Sequence, residues 1–267
     1  MLDFLKLFAT TLFFPILPMI VCGLIAGISE KLFMKMTRGV GRGLVMATSI
    51  IGTPIHELGH AVMCFPFGHK IIKVCLWDPK AKNGVLGYVN HTYNKKNIWH
   101  RLGSLFISMG PIILGLLVVM LIMALCFPQS LGEYYFSVAS VEMSLSGFFE
   151  LMAKSVSIIP LSIADGSSPI WAKILGGVLI LCVCMHINLS SADIKNSLGA
   201  LPIYSLICLL ISVLIFLIGG GVAAGFTAGL TFWCFMGFAL YTVVFAGIIA
   251  VLIIGLLCFI IGRIFGR

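Results

Sequence analysis

The chain has 267 residues, of which 60% are hydrophobic and 10% are charged, and its net charge is +8. Soluble domains carry about 25% charged residues, so this composition excludes a soluble enzyme with a single membrane anchor. The positive charge is concentrated in the connecting loops, where it indicates membrane orientation and not nucleic-acid binding. The sequence therefore predicts an all-α polytopic membrane protein that forms a single domain over residues 1–267.

Six transmembrane helices are predicted, because six apolar runs reach the roughly 20 residues that one bilayer crossing needs. The first run is too long for a signal-peptide core and no small-residue cleavage pattern follows it, so it is interpreted as a retained span. The last run exceeds one crossing and is expected to tilt, kink or protrude. The predicted spans cover residues of about 5–29, 43–66, 102–127, 170–190, 201–221 and 229–262.

Two connections between these spans are long. The segment 67–101 is rich in β-branched and aromatic residues, with the turn residues Asn83–Gly84 in its middle. This pattern predicts two strands, Ile71–Trp77 and Val85–Val89, that form a small membrane-associated β-hairpin. The acidic segment 128–168 is expected to be a mixture of interfacial helix and loop.

The loop charges predict an orientation. By the positive-inside rule the hairpin loop is cytoplasmic, the acidic loop 128–168 lies outside, and the C-terminal Arg263 and Arg267 return to the inside. The basic segment 30–42 would then lie outside, so either it lies at the interface or the second span does not fully cross. A multi-pass protein of the bacterial cytoplasmic membrane is expected. The hairpin loop contains one acidic residue, Asp78, and seven basic residues: Lys70, Lys73, Lys80, Lys82, Lys95, Lys96 and Arg101.

The second predicted span contains the motif His-Glu-Leu-Gly-His at residues 56–60. Histidines four residues apart lie on one face of a helix, so His56 and His60 can bind one zinc ion. Glu57 between them can accept a proton from the water at the zinc, which is metallopeptidase chemistry. A hydrolytic centre inside lipid is energetically expensive, which favours a functional site over a histidine pair packed in a helix bundle.

Zinc hydrolases usually supply three protein ligands, and neither common local pattern provides the third here. One pattern places a glycine three residues and a histidine six residues after the second histidine, where this chain has Met63 and Pro66. The next glutamate after Glu57 is Glu133, which weakens the class with a glutamate ligand. The third ligand is therefore expected from a distant segment.

Two aspartates are candidates for that ligand. Asp193 follows the fourth span and reaches the membrane level of the histidines, whereas Asp165 precedes that span on the opposite side. Topology therefore favours Asp193, with Asp165 as the rival. His186 is seven residues before Asp193 and is interpreted as a bundle histidine, a ligand, or a group that stabilises the oxyanion. Asn188 is expected either to bind the substrate backbone or to have a capping or packing role.

These residues resemble the site-2 protease family of intramembrane zinc metalloproteases over about residues 45–200. His56–Ala61 matches the zinc motif of that family. Leu86–Val89 falls where many relatives carry a glycine-containing membrane-associated strand. Gly110–Gly115 resembles the Gly-Pro motif that opens the next helix.

The resemblance also implies that the third ligand is an aspartate on a later transmembrane segment, usually followed by glycine. Only Asp165 is followed by glycine in this chain, whereas Asp193 is followed by Ile194. The stretch Leu189–Ile194 is instead similar to a Ser-x-x-Asp-Ile segment of distant bacterial relatives, which again favours Asp193.

The expected function is that of a zinc-dependent intramembrane endopeptidase that cleaves transmembrane or membrane-proximal peptide bonds. Its core would cover residues 43–200, with extra C-terminal helices over 201–267, and the strand Val85–Val89 would pair with an unwound substrate segment. The alternative is a non-catalytic polytopic membrane protein, either a transporter or a substrate-binding pseudoprotease, with a metal-binding histidine pair.

Overall fold

The structure is a computed structural model that describes residues 2–80 and 85–264, with no side chain described at residues 2 and 38–40. Within these residues the chain forms eight helices and a two-stranded sheet, which confirms the predicted all-α polytopic class with a small β-hairpin. The helices are α1 (Leu2–Phe13), α2 (Leu17–Cys64), α3 (Ile98–Cys126), α4 (Pro128–Ala139), α5 (Leu145–Ala164), α6 (Ile170–Cys184), α7 (Ser191–Ile218) and α8 (Gly220–Ile264).

Several of these helices are long and apolar enough to cross a membrane, so the chain is a membrane protein. The helix α6 is also apolar but has only 15 residues. In the described part of the chain there are five candidate spans: Leu17–Thr37, Ile98–Cys126, Leu145–Ala164, Ser191–Ile218 and Gly220–Ile264.

The helix α2 contains 48 residues and reverses its direction along its length. A Cβ atom added at Gly23 would lie 2.6 Å from Ile112, and one added at Gly59 would lie 2.6 Å from Gly110. On a straight helix these two glycines would be roughly 54 Å apart, yet they contact neighbouring positions of α3. The two halves of α2 therefore run back along each other. The first predicted span, 5–29, is divided between α1 and the first half of α2, and the second, 43–66, falls on the second half.

The reversal of α2 lies between Phe33 and Leu44, because these residues pack into one cluster with Met185. A Cβ atom at Gly41 would collide with the hydroxyl of Thr37, four residues earlier. In a regular helix such positions keep about 5–6 Å between their Cβ atoms, so the helix is distorted here. Position 41 has to be a glycine in this distorted helix, because a side chain there would collide with Thr37.

The prediction of interfacial helix and loop for residues 128–168 was wrong in one respect. The helix α5 within this segment is a further candidate span, and it packs against α8 with the rings of Phe148 and Phe238 4.7 Å apart. Its two opposite charges, Glu150 and Lys154, are four residues apart and form an ion pair of 3.4 Å. The spacing of four residues places the two charges on one face of the helix, where they pair.

The predicted hairpin forms from β1 (Lys70–Cys75) and β2 (Tyr88–Thr92), which pair antiparallel with Val74 opposite Val89. The second strand begins three residues later than predicted. The predicted turn at Asn83–Gly84 lies outside the described residues. The hairpin connects the second half of α2 to α3, so it lies at the end of the bundle where the histidine motif is found.

Candidate metal centre

The candidate site begins at a backbone contact between α2 and α3. A Cβ atom at Gly59 would lie 2.6 Å from the carbonyl group of Gly110 and from the Cα atom of Pro111. Small residues at a crossing allow two membrane helices to approach this closely. The contact brings the neighbouring residue His60 against the backbone of α3.

The His60 ring is oriented by a carbonyl group that proline leaves free. Its Nδ1 atom donates a hydrogen bond of 2.8 Å to the Ile107 carbonyl oxygen. In a regular helix that oxygen would accept from the N–H four residues later, but Pro111 has no N–H. The proline of the Gly-Pro motif thus provides the acceptor for His60.

The His56 ring is oriented in the same way from another element. Its Nδ1 atom donates a hydrogen bond of 2.7 Å to the His186 carbonyl oxygen, which lies just beyond the end of α6. Because a carbonyl oxygen can only accept, both neutral rings carry their hydrogen on Nδ1 and a lone pair on Nε2. These two Nε2 atoms face each other at 3.2 Å.

Asp193 completes the group from the first turn of α7. Its backbone N–H donates to the hydroxyl of Ser190, and its Oδ2 accepts from the Ser190 N–H at 2.8 Å, which is a capping box. The other oxygen, Oδ1, lies 3.2 Å from His60 Nε2, and Oδ2 lies 4.0 Å from His56 Nε2. In the described part of the chain this is the only group of three or more His, Cys, Asp or Glu residues whose ligand atoms lie close enough to hold one metal ion.

The electrostatics of this group favour a bound cation. Two nitrogen lone pairs and a carboxylate oxygen converge with no hydrogen between the two nitrogens, so they repel one another unless a positive charge lies among them. The exposed fractions of His60 and Asp193 are only 9% and 6%, so bulk water screens this repulsion little. The group can therefore hold a metal ion.

Glu57 lies next to this group and beneath the hairpin loop, with an exposed fraction of 7%. A Cβ atom at Gly87 would lie 2.7 Å from Glu57 Cγ and 2.8 Å from Thr53 Cγ2, so only glycine allows the backbone this close. Further along α2, the indole N–H of Trp77 donates to the hydroxyl of Ser49 at 2.9 Å. The segments that flank the hairpin turn thus cover the carboxylate side of the site.

The remaining predicted residues have other partners. The ring of His186 donates from Nδ1 to the Cys182 carbonyl oxygen at 3.0 Å and does not join the metal-binding group. His186 contributes to the site through its backbone carbonyl oxygen, which accepts the hydrogen bond from His56. The side-chain amide of Asn188 donates to the Glu30 carboxylate, which ties the segment after α6 to the first half of α2.

Asp165 is not part of the group. Its carboxylate accepts from the backbone and the hydroxyl of Ser130 at 2.9 and 2.7 Å, and from the backbone N–H of Ser167 at 2.8 Å. Burial raises the pKa of this carboxyl, but the hydrogen bonds from Ser167 and Ser130 outweigh burial and lower the pKa to about 2. Asp165 therefore ties α4 to the connection between α5 and α6.

The carbonyl acceptors of the two histidines were not predicted from the sequence. A signal for one of them was present, because a proline always frees the carbonyl oxygen four residues earlier in a helix, here that of Ile107. The acceptor at His186 and the partner of Asn188, Glu30, depend on contacts between distant segments and leave no local signal.

No family model matches this chain, and neither a curated protein nor a solved structure matches it.

Proposed function

We propose that this protein is a zinc-dependent intramembrane endopeptidase similar to the site-2 proteases. The observation that carries the proposal is the convergence of His56 Nε2, His60 Nε2 and an Asp193 oxygen beside Glu57. A tetrahedral zinc site with bonds of about 2.0–2.1 Å separates its ligand atoms by about 3.3 Å. Two of the separations here are 3.2 Å and the third, from His56 Nε2 to Asp193 Oδ2, is 4.0 Å, a set of distances compatible with zinc.

The chain's own residues divide the chemistry among them. His56, His60 and Asp193 would hold zinc, which lowers the pKa of bound water and polarises the scissile carbonyl when it is present. Glu57 would accept the proton of the attacking water and deliver it to the leaving amine. The carbonyl groups of Ile107 and His186 keep the two rings in the tautomer that zinc binding requires.

The hairpin is the expected platform for the substrate. A peptide bond in a helix is shielded by its own hydrogen bonds, so a transmembrane substrate has to unwind into an extended segment before it is cut. Among the described residues the sheet contains only β1 and β2, so β2 has no strand on its other side. An extended substrate segment can add to that edge by β-augmentation, close to Glu57.

The charge distribution supports an active site on the cytoplasmic side of a bacterial cytoplasmic membrane. The hairpin region carries more basic residues than any other predicted loop, as the positive-inside rule expects of a cytoplasmic loop. The basic residues Lys31, Lys35 and Arg42 lie near the reversal of α2, roughly 36 Å of helix away from the hairpin. We expect their ammonium and guanidinium groups to reach the headgroups of the opposite leaflet.

The proposal is tested by measuring zinc and cleavage in the same preparations. The full chain is purified in detergent, zinc per chain is determined by mass spectrometry, and cleavage of unrelated transmembrane substrates is followed on gels. We expect Glu57→Gln to retain zinc and to lose cleavage by roughly 100-fold or more. The matched control is Glu142→Gln, which neutralises an exposed glutamate outside the site and should leave both quantities unchanged.

The outcomes separate the proposal from its alternatives. A wild-type protein that binds no zinc would exclude both a protease and a metal-binding pseudoprotease, and would favour a transporter. Zinc binding without cleavage of any substrate would identify a pseudoprotease. Cleavage that persists in Glu57→Gln would exclude the assigned role of this glutamate.

A further inference from the structure

A second feature of the molecule, away from the histidines, is an apolar cavity of about 330 Å³ between four helices. Ligand pockets in proteins span roughly 300–1,000 Å³, so it is large enough for a small apolar group. It is formed by residues of α3, α5, α6 and α8, none of which belongs to the candidate metal centre. Representative lining residues are Met123, Ile158, Ile174, Gly177 and Ala246.

The only charged side chain among the lining residues is Lys173. Its ammonium group donates to the carbonyl oxygens of Asp165 and Ile163, at 2.7 and 3.3 Å, and so caps the end of α5. An ammonium group has three N–H donors, so one is left for a ligand. Among the described residues, no carboxylate forms an ion pair with Lys173, because the Asp165 carboxylate binds Ser130 and Ser167 instead.

The charge lies at one end of the cavity and the apolar walls extend away from it. Lys173 is in the first turn of α6, close to where α3 and α5 end, so it lies at a boundary of the membrane-spanning region. From there the lining follows α6 as far as Leu181, roughly 16 Å from the start of that helix. This arrangement matches an amphiphile with one anionic head and one apolar chain.

The cavity opens sideways toward lipid. Three of its lining residues expose most of their surface: Ile163 by 75%, Ile170 by 68% and Ile174 by 62%. A lipid can therefore enter from the bilayer without any helix moving apart. The exposed Trp171 beside Lys173 has the character of a residue at the level of the lipid headgroups.

We propose that this cavity is a binding site for an anionic phospholipid, with one acyl chain between α5, α6 and α8 and the phosphate at Lys173. The positive charge selects the anionic headgroup, because an apolar cavity alone would accept a chain of any lipid. The site is independent of the proposed peptidase activity, since it shares no residue with the metal centre.

The test uses the full-length protein in nanodiscs with phospholipids that carry a photoreactive group on one acyl chain. Phosphatidylglycerol and phosphatidylcholine probes of equal chain length are compared, and labelled peptides are identified by mass spectrometry. We expect phosphatidylglycerol to label the segment 158–181 at least threefold more than phosphatidylcholine does. Equal labelling by the two probes would overturn the proposal.

A cavity-filling variant provides the second arm. Gly177 lines the cavity and nothing lies within 4 Å of a Cβ atom added there, so Gly177→Leu is chosen to fill part of the cavity from a position where the Cβ atom itself meets no obstacle. The matched control is Gly199→Leu in α7, where a Cβ atom is equally unobstructed and no cavity residue is touched. Labelling of 158–181 should fall at least threefold in the first variant only, and unchanged labelling there would overturn the proposal.

The role of the charge is tested separately. Lys173→Met should remove the preference for phosphatidylglycerol and Lys173→Arg should keep it. Because Lys173 also caps α5, the melting temperature of each variant is measured in parallel. If Lys173→Met does not fold, the outcome rests on Gly177→Leu, which leaves the cap intact.

Discussion

Two histidine pairs in this protein have nearly the same nitrogen-to-nitrogen distance but opposite electrostatics. In the first pair, His56 and His60, the two Nε2 atoms are 3.2 Å apart. In the second pair, His69 and His91 at the hairpin, the two Nδ1 atoms are 3.0 Å apart. Judged by the nitrogen-to-nitrogen distance alone, both pairs would be interpreted as metal sites.

The carbonyl groups on the far sides of the rings separate the two cases. Both rings of the first pair donate to carbonyl oxygens, so two lone pairs face each other. In the second pair the Nε2 atom of His69 donates to the His100 carbonyl oxygen at 2.7 Å, so its Nδ1 can accept the hydrogen of His91. The second pair is an ordinary hydrogen bond, and only the first pair has two lone pairs facing each other in a group that can hold a metal ion.

The largest effect is expected from deleting one ring of each pair. His60→Ala should reduce bound zinc from about one ion per chain to less than roughly a tenth of that, because two ligands remain of three. His91→Ala should leave bound zinc unchanged. Zinc per chain, measured by mass spectrometry after dialysis, checks both variants. An equal loss in the two variants would break the distinction between the pairs.

The second prediction compares the two aspartates. Asp193→Ala should weaken zinc binding by roughly tenfold or more, since it removes the oxygen that faces the first histidine pair. Asp165→Ala should keep zinc but lower the melting temperature, because it leaves Ser130 and Ser167 without their shared acceptor. Competition with a chelator measures the affinity, and the reverse order of effects would identify Asp165 as the ligand.

A subtler change tests the carbonyl groups directly. Pro111→Ala restores an N–H that competes with His60 for the Ile107 carbonyl oxygen, so the ring loses its fixed tautomer. We expect zinc affinity to fall about 10-fold, at the lower end of the effects known for such supporting groups. The matched control, Pro160→Ala in α5, should not change it. Equal affinities in both variants would contradict the tautomer argument.

The smallest effect concerns pH and the second pair. Burial lowers the pKa of His69 and of His91. At His69 the hydrogen bond to the His100 carbonyl oxygen opposes this shift, and the charge of the His100 ring adds to it. At His91 the charges of His69 and His60 lower the pKa further. A histidine whose pKa is lower in the folded chain stabilises it above the unfolded value near 6.5, and this stability is lost as the pH falls through that value.

We therefore expect the hairpin amides of β1 and β2 to exchange hydrogen faster at pH 5.5 than at pH 7.5, after correction for the intrinsic rate. His69→Gln should flatten this dependence, because glutamine does not titrate in that range. A pH dependence that is unchanged in His69→Gln would show that the pair is not its origin.

Much of this protein follows from the sequence because the relevant rules are local. Long apolar runs require helices in lipid, since no water is present to satisfy the backbone. A spacing of four residues places His56 and His60 on one helix face. The β-branched content around the hairpin predicted its strands, although the contact of Gly87 with Glu57 is a tertiary feature that strand propensity does not contain.

What only the tertiary structure decided depends on contacts between distant segments. The sequence left two aspartates open, and it is the position of the first turn of α7, a helix that packs against α3, that brings Asp193, and not Asp165, to the histidines. The Gly59–Gly110 contact and the carbonyl groups of Ile107 and His186 then determine which ring nitrogens face each other. The tautomer of each histidine ring is set by its hydrogen-bond partner. Here both partners are more than forty residues away in the chain, so no local sequence pattern predicts them.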